Sequence, residues 1–131
     1  MRPGLIACLN RSSFYNRSLT PFCRLLSQAD LASIHSSEEN QFVTDLSDGR
    51  RFWLGGQLGW SWSDGTPWNY QNWLSGEPNG NGAEGCLENV ALVTGEENKG
   101  KWNDRACDNT GGDVCMICVK ELNSCYWQFS F

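Results

Sequence analysis

The residues best suited to chemistry in this chain come in a fixed order: Glu77-Pro78-Asn79, Glu84 two residues before Cys86, then Trp102-Asn103-Asp104. Two Glu carboxylates, two Asn amides and the Asp104 carboxylate supply five oxygen donors. That is close to the roughly 6–8 oxygens that Ca²⁺ takes, with the remaining positions open. Zinc would want His or Cys, which are absent from the set. Mg²⁺ keeps its waters and seldom uses an all-protein cage of this size. Two vicinal hydroxyls of a sugar can replace two waters on such a cation. Carboxylates only accept hydrogen bonds, whereas an Asn amide coordinates through oxygen and donates through NH₂, so the mixture meets each hydroxyl as donor and acceptor. That duality favours polyols over simple anions.

Other chemistry is poorly served. His35 is the only histidine, so Ser-His-Asp or Cys-His catalysis would have to run through it, and no nucleophile is evident beside it. Packing at a helix entry is the expected role, and no catalytic residue is assigned. Cys115-Met116-Ile117-Cys118 has the spacing of a redox or zinc motif, and Cys107 and Cys125 make four thiols available. Glu96 and Glu97, close to Lys99 and Lys101, read as a solvated turn.

The elements that must position the donors can be read from periodicity. Phe22, Leu25, Leu26 and Ala29 form an apolar stripe after Thr20 and Pro21, which predicts a first helix over 21–29. Ser36-x-x-Glu39 is a capping-box spacing, followed by Phe42, Val43 and Leu46 on one face and a stop at Asp48-Gly49. Leu31-Ala32-Ser33-Ile34 between them reads as a linking strand. Helical periodicity then ends. Short strands are expected at Phe52-Trp53-Leu54, Trp60-Ser61-Trp62, Leu87 to Val93, Lys101-Trp102 and Val114 to Val119. Residues 63–85 form an irregular stretch longer than the ~12–15 residues usual in compact domains. Trp68, Tyr70 and Trp73 within it argue for order, because large aromatics must bury surface.

Composition narrows the class. The chain has 131 residues, about one domain, with 7 Cys, 7 Trp, 14 Gly and 40% hydrophobic residues. A net charge of −5 disfavours nucleic acid, whose phosphates need a basic face. The acidity is local: residues 77–104 hold six carboxylates against Lys99 and Lys101, while residues 1–30 hold four Arg against Asp30. No run of about 18 apolar residues exists to span a membrane. Seven cysteines in so small a domain point to an oxidising, extracellular setting and leave at least one thiol outside intrachain pairs. Leu5 to Leu9 is shorter than the roughly 7–15-residue apolar stretch of a signal peptide. The sequons at Asn10 and Asn16 suit an extracellular loop and carry little weight.

Taken together, these motifs resemble those of a C-type lectin-like domain over roughly residues 20–120. The resemblance rests on Leu31-Ala32-Ser33-Ile34, Trp53-Leu54-Gly55-Gly56, Trp60-x-Trp62-x-Asp64-Gly65-Thr66, Asn72-Trp73, Glu77-Pro78-Asn79, Glu84-x-Cys86, Trp102-Asn103-Asp104-x-x-Cys107 and Met116-Ile117-Cys118. It implies an α+β fold of two helices and two small antiparallel sheets with a long calcium-binding loop, and a cis peptide before Pro78. It also implies bridges Cys23–Cys118 and Cys86–Cys107, which take two of the four clustered thiols and leave Cys8, Cys115 and Cys125. Residues 1–20 match poorly, 21–121 make up the domain, and 122–131 are an atypical tail.

By the same resemblance Glu77, Asn79, Glu84, Asn103 and Asp104 are the calcium and sugar ligands. Glu-Pro-Asn goes with mannose-type sugars: mannose, N-acetylglucosamine and fucose. Gly80 and Gly85 stand where an auxiliary calcium site would need acidic residues, so one Ca²⁺ is expected. The reading is a secreted, non-enzymatic binding domain for glycans on glycoproteins or microbial surfaces, in the manner of innate-immune lectins, with affinity raised by oligomerisation. An ice-binding antifreeze protein on the same fold and a metal-independent protein-binding receptor module are the alternatives.

Overall fold

The computed structural model describes residues 4–9, 30–107 and 114–119, with side chains over 31–107. The elements are β1 (Gly4–Leu9), β2 (Asp30–Leu31), α1 (Ser37–Leu46), β3 (Phe52–Gln57), β4 (Ser61–Trp62), β5 (Cys86–Asn89), β6 (Trp102–Arg105) and β7 (Val114–Val119). A 3₁₀ turn spans Glu96–Asn98. The helix expected over 21–29 lies outside the described residues, as does Cys23 of the expected Cys23–Cys118 bridge.

Helix α1 starts where the capping pattern places it. Ser36 is extended, and its hydroxyl accepts from the Glu39 N–H at 3.1 Å, satisfying one of the first-turn donors that have no intrahelical partner. Beyond Leu46 the chain reaches Asp48 and Gly49 in the left-handed region, φ 53° and 80°, which ends the helix.

The strands form one hydrogen-bonded sheet in the order β1-β7-β3-β5-β6, with β2 also on β7 and β4 also on β3. Its two antiparallel pieces are joined by the parallel pairing of β3 with β7, Phe52 opposite Cys115 and Trp53 opposite Met116. β1, from the poorly matching first twenty residues, pairs with β7 from Gly4 to Leu9. Among the described residues no helix is long and apolar enough to cross a membrane.

Three expected strands are shorter than the sequence pattern suggests; β4 begins at Ser61 and leaves out Trp60. Only Leu31 of Leu31–Ile34 is in a ladder; Ala32, Ser33 and Ile34 are buried but irregular. β5 stops at Asn89, and residues 91–94 form a turn, with Leu92 and Val93 exposed. The cause is Asn89, whose side-chain Oδ1 accepts the Ala91 N–H at 2.8 Å. This local turn competes with a continued strand.

The core joins helix to sheet. Ile34, Phe52, Leu54, Leu87 and Trp102 are fully buried and pack with Ala32, Val43 and Trp62. Gly56 is required here, since a Cβ would lie 2.6 Å from a Leu87 methyl. A buried polar group ties α1 to β6: Trp102 Nε1 donates to Asn40 Oδ1 at 2.9 Å, and Asn40 Nδ2 donates to the Gly100 carbonyl at 2.9 Å.

Candidate functional site

Trp102 anchors the loop that carries Glu77. Its ring makes edge contacts with Trp62, Trp68, Tyr70 and Trp73, and Trp62 stacks on Trp68 with centroids 4.5 Å apart. Five aromatics thus form the scaffold of one loop, which orders it without regular structure. The backbone adds its own ties. The Trp102 N–H donates to Asn72 O, and the Leu74 N–H donates to Trp102 O, both at 2.9 Å. Asn72 also donates to the Gly100 carbonyl at 2.9 Å and accepts from Lys101 Nζ at 3.1 Å.

From this base a turn closed by the Glu77 N–H on Leu74 O leads into a cis Glu77–Pro78 peptide. The next two residues cover Asp104. Its carboxylate is 2% exposed and accepts the Asn79 N–H at 3.1 Å through Oδ1 and the Gly80 N–H at 2.9 Å through Oδ2. Gly80 lies so close that a Cβ would stand 2.8 Å from Asp104 Oδ2 and 2.5 Å from Glu84 Cβ. The disulfide Cys86–Cys107, with Cα atoms 5.2 Å apart, ties the start of β5 to the segment just after β6.

Three carboxyl groups therefore crowd together. Glu77 and Glu84 both lie beside Asp104. Burial pushes the Glu77 carboxyl up to about 7, and the proton-sharing proximity of Asp104 and the charges of Asp104 and Glu84 push it the same way. Burial also raises Glu84, reinforced by Asp104 and opposed by the positive charge of Arg105. Glu77 Oε2 is buried with no hydrogen-bond partner. Such an atom calls for a water or an ion.

Of the five expected ligands, Glu77, Glu84 and Asp104 meet directly, and Asn79 touches Asp104 through its backbone while its side chain is exposed. Asn103 neighbours Asp104, but its Nδ2 donates to Glu88 Oε1 at 3.1 Å. Among the described residues no three acidic, His or Cys groups are already arranged to hold a metal; the carboxyls meet pairwise through Asp104. The donor set nonetheless fits a hard cation: all oxygen, crowded with negative charge, with one carboxylate oxygen unpartnered.

Sequence reasoning missed Glu88 and Arg105. Both are buried, and Arg105 Nη1 is 2.7 Å from Glu88 Oε2. Glu88 appears in the sequence as one more carboxylate in an acidic stretch, and only the strand register sets it opposite Asn103.

His35 needs a correction: it does have a hydroxyl beside it. Ser33 Oγ lies 3.2 Å from His35 Nε2. Ser33, however, is 1% exposed and donates to Asp64 Oδ2 at 2.5 Å. The acid thus sits on the serine instead of orienting the imidazole, the reverse of a catalytic triad. Asp64 Oδ1 accepts from the Thr66 N–H and hydroxyl, so the group braces the turn at the start of the loop. Glu96 and Glu97 are exposed on the 3₁₀ turn, and Lys99 reaches Asp45 at 3.3 Å in an exposed pair worth little in water.

A domain with this topology, this aromatic-braced loop and this oxygen-donor cluster is a C-type lectin-like domain. The chain belongs to the lectin C-type domain family, whose sequence profile matches residues 15–117. Domains of this family are non-enzymatic binding modules, and this one is too. It is 36% identical to a lectin of Pleurodeles waltl over 115 residues, covering 79% of this chain and 60% of that protein. Among solved structures, a calcium-independent type II antifreeze protein superposes with a TM-score of 0.70 at 28% identity, covering 89% of this chain and 85% of that one. The cow CD23 carbohydrate-recognition domain, solved with a GlcNAc2Man3 oligosaccharide, gives 0.70 at 27% identity, covering 94% and 90%. The chain spans about half to three fifths of the length of the first curated relatives it matches.

Proposed function

We propose that this domain binds carbohydrate with one Ca²⁺ and prefers mannose-type sugars. The observation that carries the reading is the buried, unpartnered Oε2 of Glu77 beside the crowded carboxyls of Glu84 and Asp104. Like charges gathered in this way are relieved by a proton or by a cation. Glu77, Asn79, Glu84, Asn103 and Asp104 would hold the ion, which when bound supplies open coordination positions for vicinal hydroxyls. The Asn79 and Asn103 amides and the Glu carboxylates supply the matching donors and acceptors. Glu77 and Asn79 in this order support mannose-type over galactose-type geometry. The Cys86–Cys107 bridge supports an extracellular setting, and the weakness of a single sugar contact favours clustered sites.

Retention on mannose-agarose with Ca²⁺ tests this. It should be lost in EDTA, and Glu77→Gln with Asn79→Asp should shift preference toward galactose. Retention that survives EDTA sinks the reading. The likeness to an antifreeze structure favours ice binding as a second reading; inhibition of ice recrystallisation by a protein that ignores mannose would establish it instead.

A further inference from the structure

We infer that the buried Glu88–Arg105 pair sets which way the Asn103 amide faces, and so makes its oxygen available to a cation. The inference rests on the calcium reading above and names two residues outside the ligand set.

Antiparallel pairing of β5 with β6 sets Glu88 opposite Asn103 and Cys86 opposite Arg105. Asn103 and Arg105 are two apart on a strand, so they share a face. Both reach the same carboxylate: Asn103 Nδ2 donates to Oε1 at 3.1 Å and Arg105 Nη1 to Oε2 at 2.7 Å. Glu88 is 3% exposed and Arg105 6%, and the guanidinium lies over the Trp53 ring, 5.9 Å from its centre. The pair is shielded from water.

An ion-paired carboxylate has acceptors only. Whatever faces it from Asn103 must be the NH₂, so Oδ1 is turned away from Glu88. A hard cation requires that oxygen; an amide NH₂ presented in its place would repel the ion. Of the two Nδ2 hydrogens one is engaged by Glu88 and the other remains for a hydroxyl. Glu88 and Arg105 are positioning residues, acting through Asn103.

The isosteric change Glu88→Gln separates this role from packing. Arg105 only donates, so the new amide must turn its oxygen to the guanidinium and its NH₂ to Asn103. Asn103 must then present Oδ1 inward and NH₂ outward. Ca²⁺ affinity, titrated by calorimetry on the whole chain, should fall about tenfold or more, the range for lost partners of metal ligands. Adding Asn103→Asp to Glu88→Gln should restore most of it, because a carboxylate accepts from the new NH₂ and still offers the ion an oxygen. Asn103→Asp alone should instead weaken binding, since it sets two carboxylates against each other.

That single change also covers the case in which Glu88→Gln fails to fold. A simple count of ligand charge predicts the opposite, tighter binding by Asn103→Asp. Tighter binding there, or unchanged affinity in Glu88→Gln, overturns the inference. Absence of Ca²⁺ binding by the unmodified protein overturns the calcium reading itself and takes the inference with it.

Discussion

Replacing Gly80 by alanine tests the site through its tightest contact. The added Cβ would lie 2.5 Å from Glu84 Cβ and 2.8 Å from both Glu84 Cγ and Asp104 Oδ2, about 1 Å inside normal contact. Gly80 is not among the positive-φ residues, so alanine meets no backbone penalty and the effect is steric. Turning the Glu84 side chain moves its Cγ but not its Cβ, so relief requires the backbone at Gly80 or Glu84 to shift and the Gly80 N–H to leave Asp104. Without an ion, that shift disturbs only the local turn. With one, Glu84 and Asp104 must also keep their places on the ion, so the bound state carries the larger cost. Overpacking of this kind costs about 1–3 kcal/mol, which corresponds to a loss of roughly 5- to 150-fold in Ca²⁺ affinity.

Gly85→Ala is the control. Its Cβ would stand 3.6 Å from Leu58 Cβ and 3.7 Å from Cys107 Sγ, ordinary contacts, so Ca²⁺ affinity should be unchanged. Melting in EDTA should show both variants folded, with Gly85→Ala equal to or slightly more stable than the parent. Calorimetric titration reads the affinity. If Gly80→Ala binds Ca²⁺ within twofold of the parent, or Gly85→Ala loses as much, steric closure at Gly80 does not govern the site.

Three further outcomes are expected. Because the folded Glu77 carboxyl is raised from 4.5 to about 7, its contribution to metal-free stability is full below about pH 4.5 and lost as pH rises through about 7. Urea titrations in EDTA should show that loss in the parent and not in Glu77→Gln, while Ca²⁺-dependent stabilisation should shrink as pH falls below about 7; a parent and variant with parallel pH profiles would contradict this. Asn40→Ala strands the buried Trp102 Nε1, costing about 1–3 kcal/mol, measurable by urea denaturation; Gly100 O keeps its bond from Asn72. Removing the Cys86–Cys107 bridge by double serine substitution opens a loop of sequence separation 21, for an expected loss of about 3 kcal/mol read from the same assay.

Some of this molecule is legible because its determinants are local. The Ser36 cap and the stop at Asp48-Gly49 each follow from what one residue's backbone or side chain can do with its immediate neighbours, whereas β3 runs on through Gly55 and Gly56 to Gln57. The same holds for the ligand types: Glu, Asn and Asp are oxygen donors wherever they fall. Where locality fails, so does the reading. The apolar run Leu87 to Val93 reads as a strand, yet Asn89 turns the chain through its own side chain. His35 looks isolated along the chain, yet Asn69, remote in sequence, brings its Oδ1 within 2.8 Å of His35 Nδ1.

What the sequence alone determined is the chemical inventory and its order: five side chains with oxygen donors, three on an aromatic-rich loop and two directly after Trp102, and the family in which such an order occurs. The tertiary structure alone decided how those donors are held. Burial of Asp104 under two backbone N–H groups, the orphaned Glu77 oxygen and the Glu88–Arg105 pair beneath Asn103 all arise from register between β5 and β6 and from the docking of the loop on Trp102. A residue's type states what it can donate or accept. Only its distance from groups remote in sequence decides what it does donate or accept, because hydrogen bonds and charge interactions depend on separation in space.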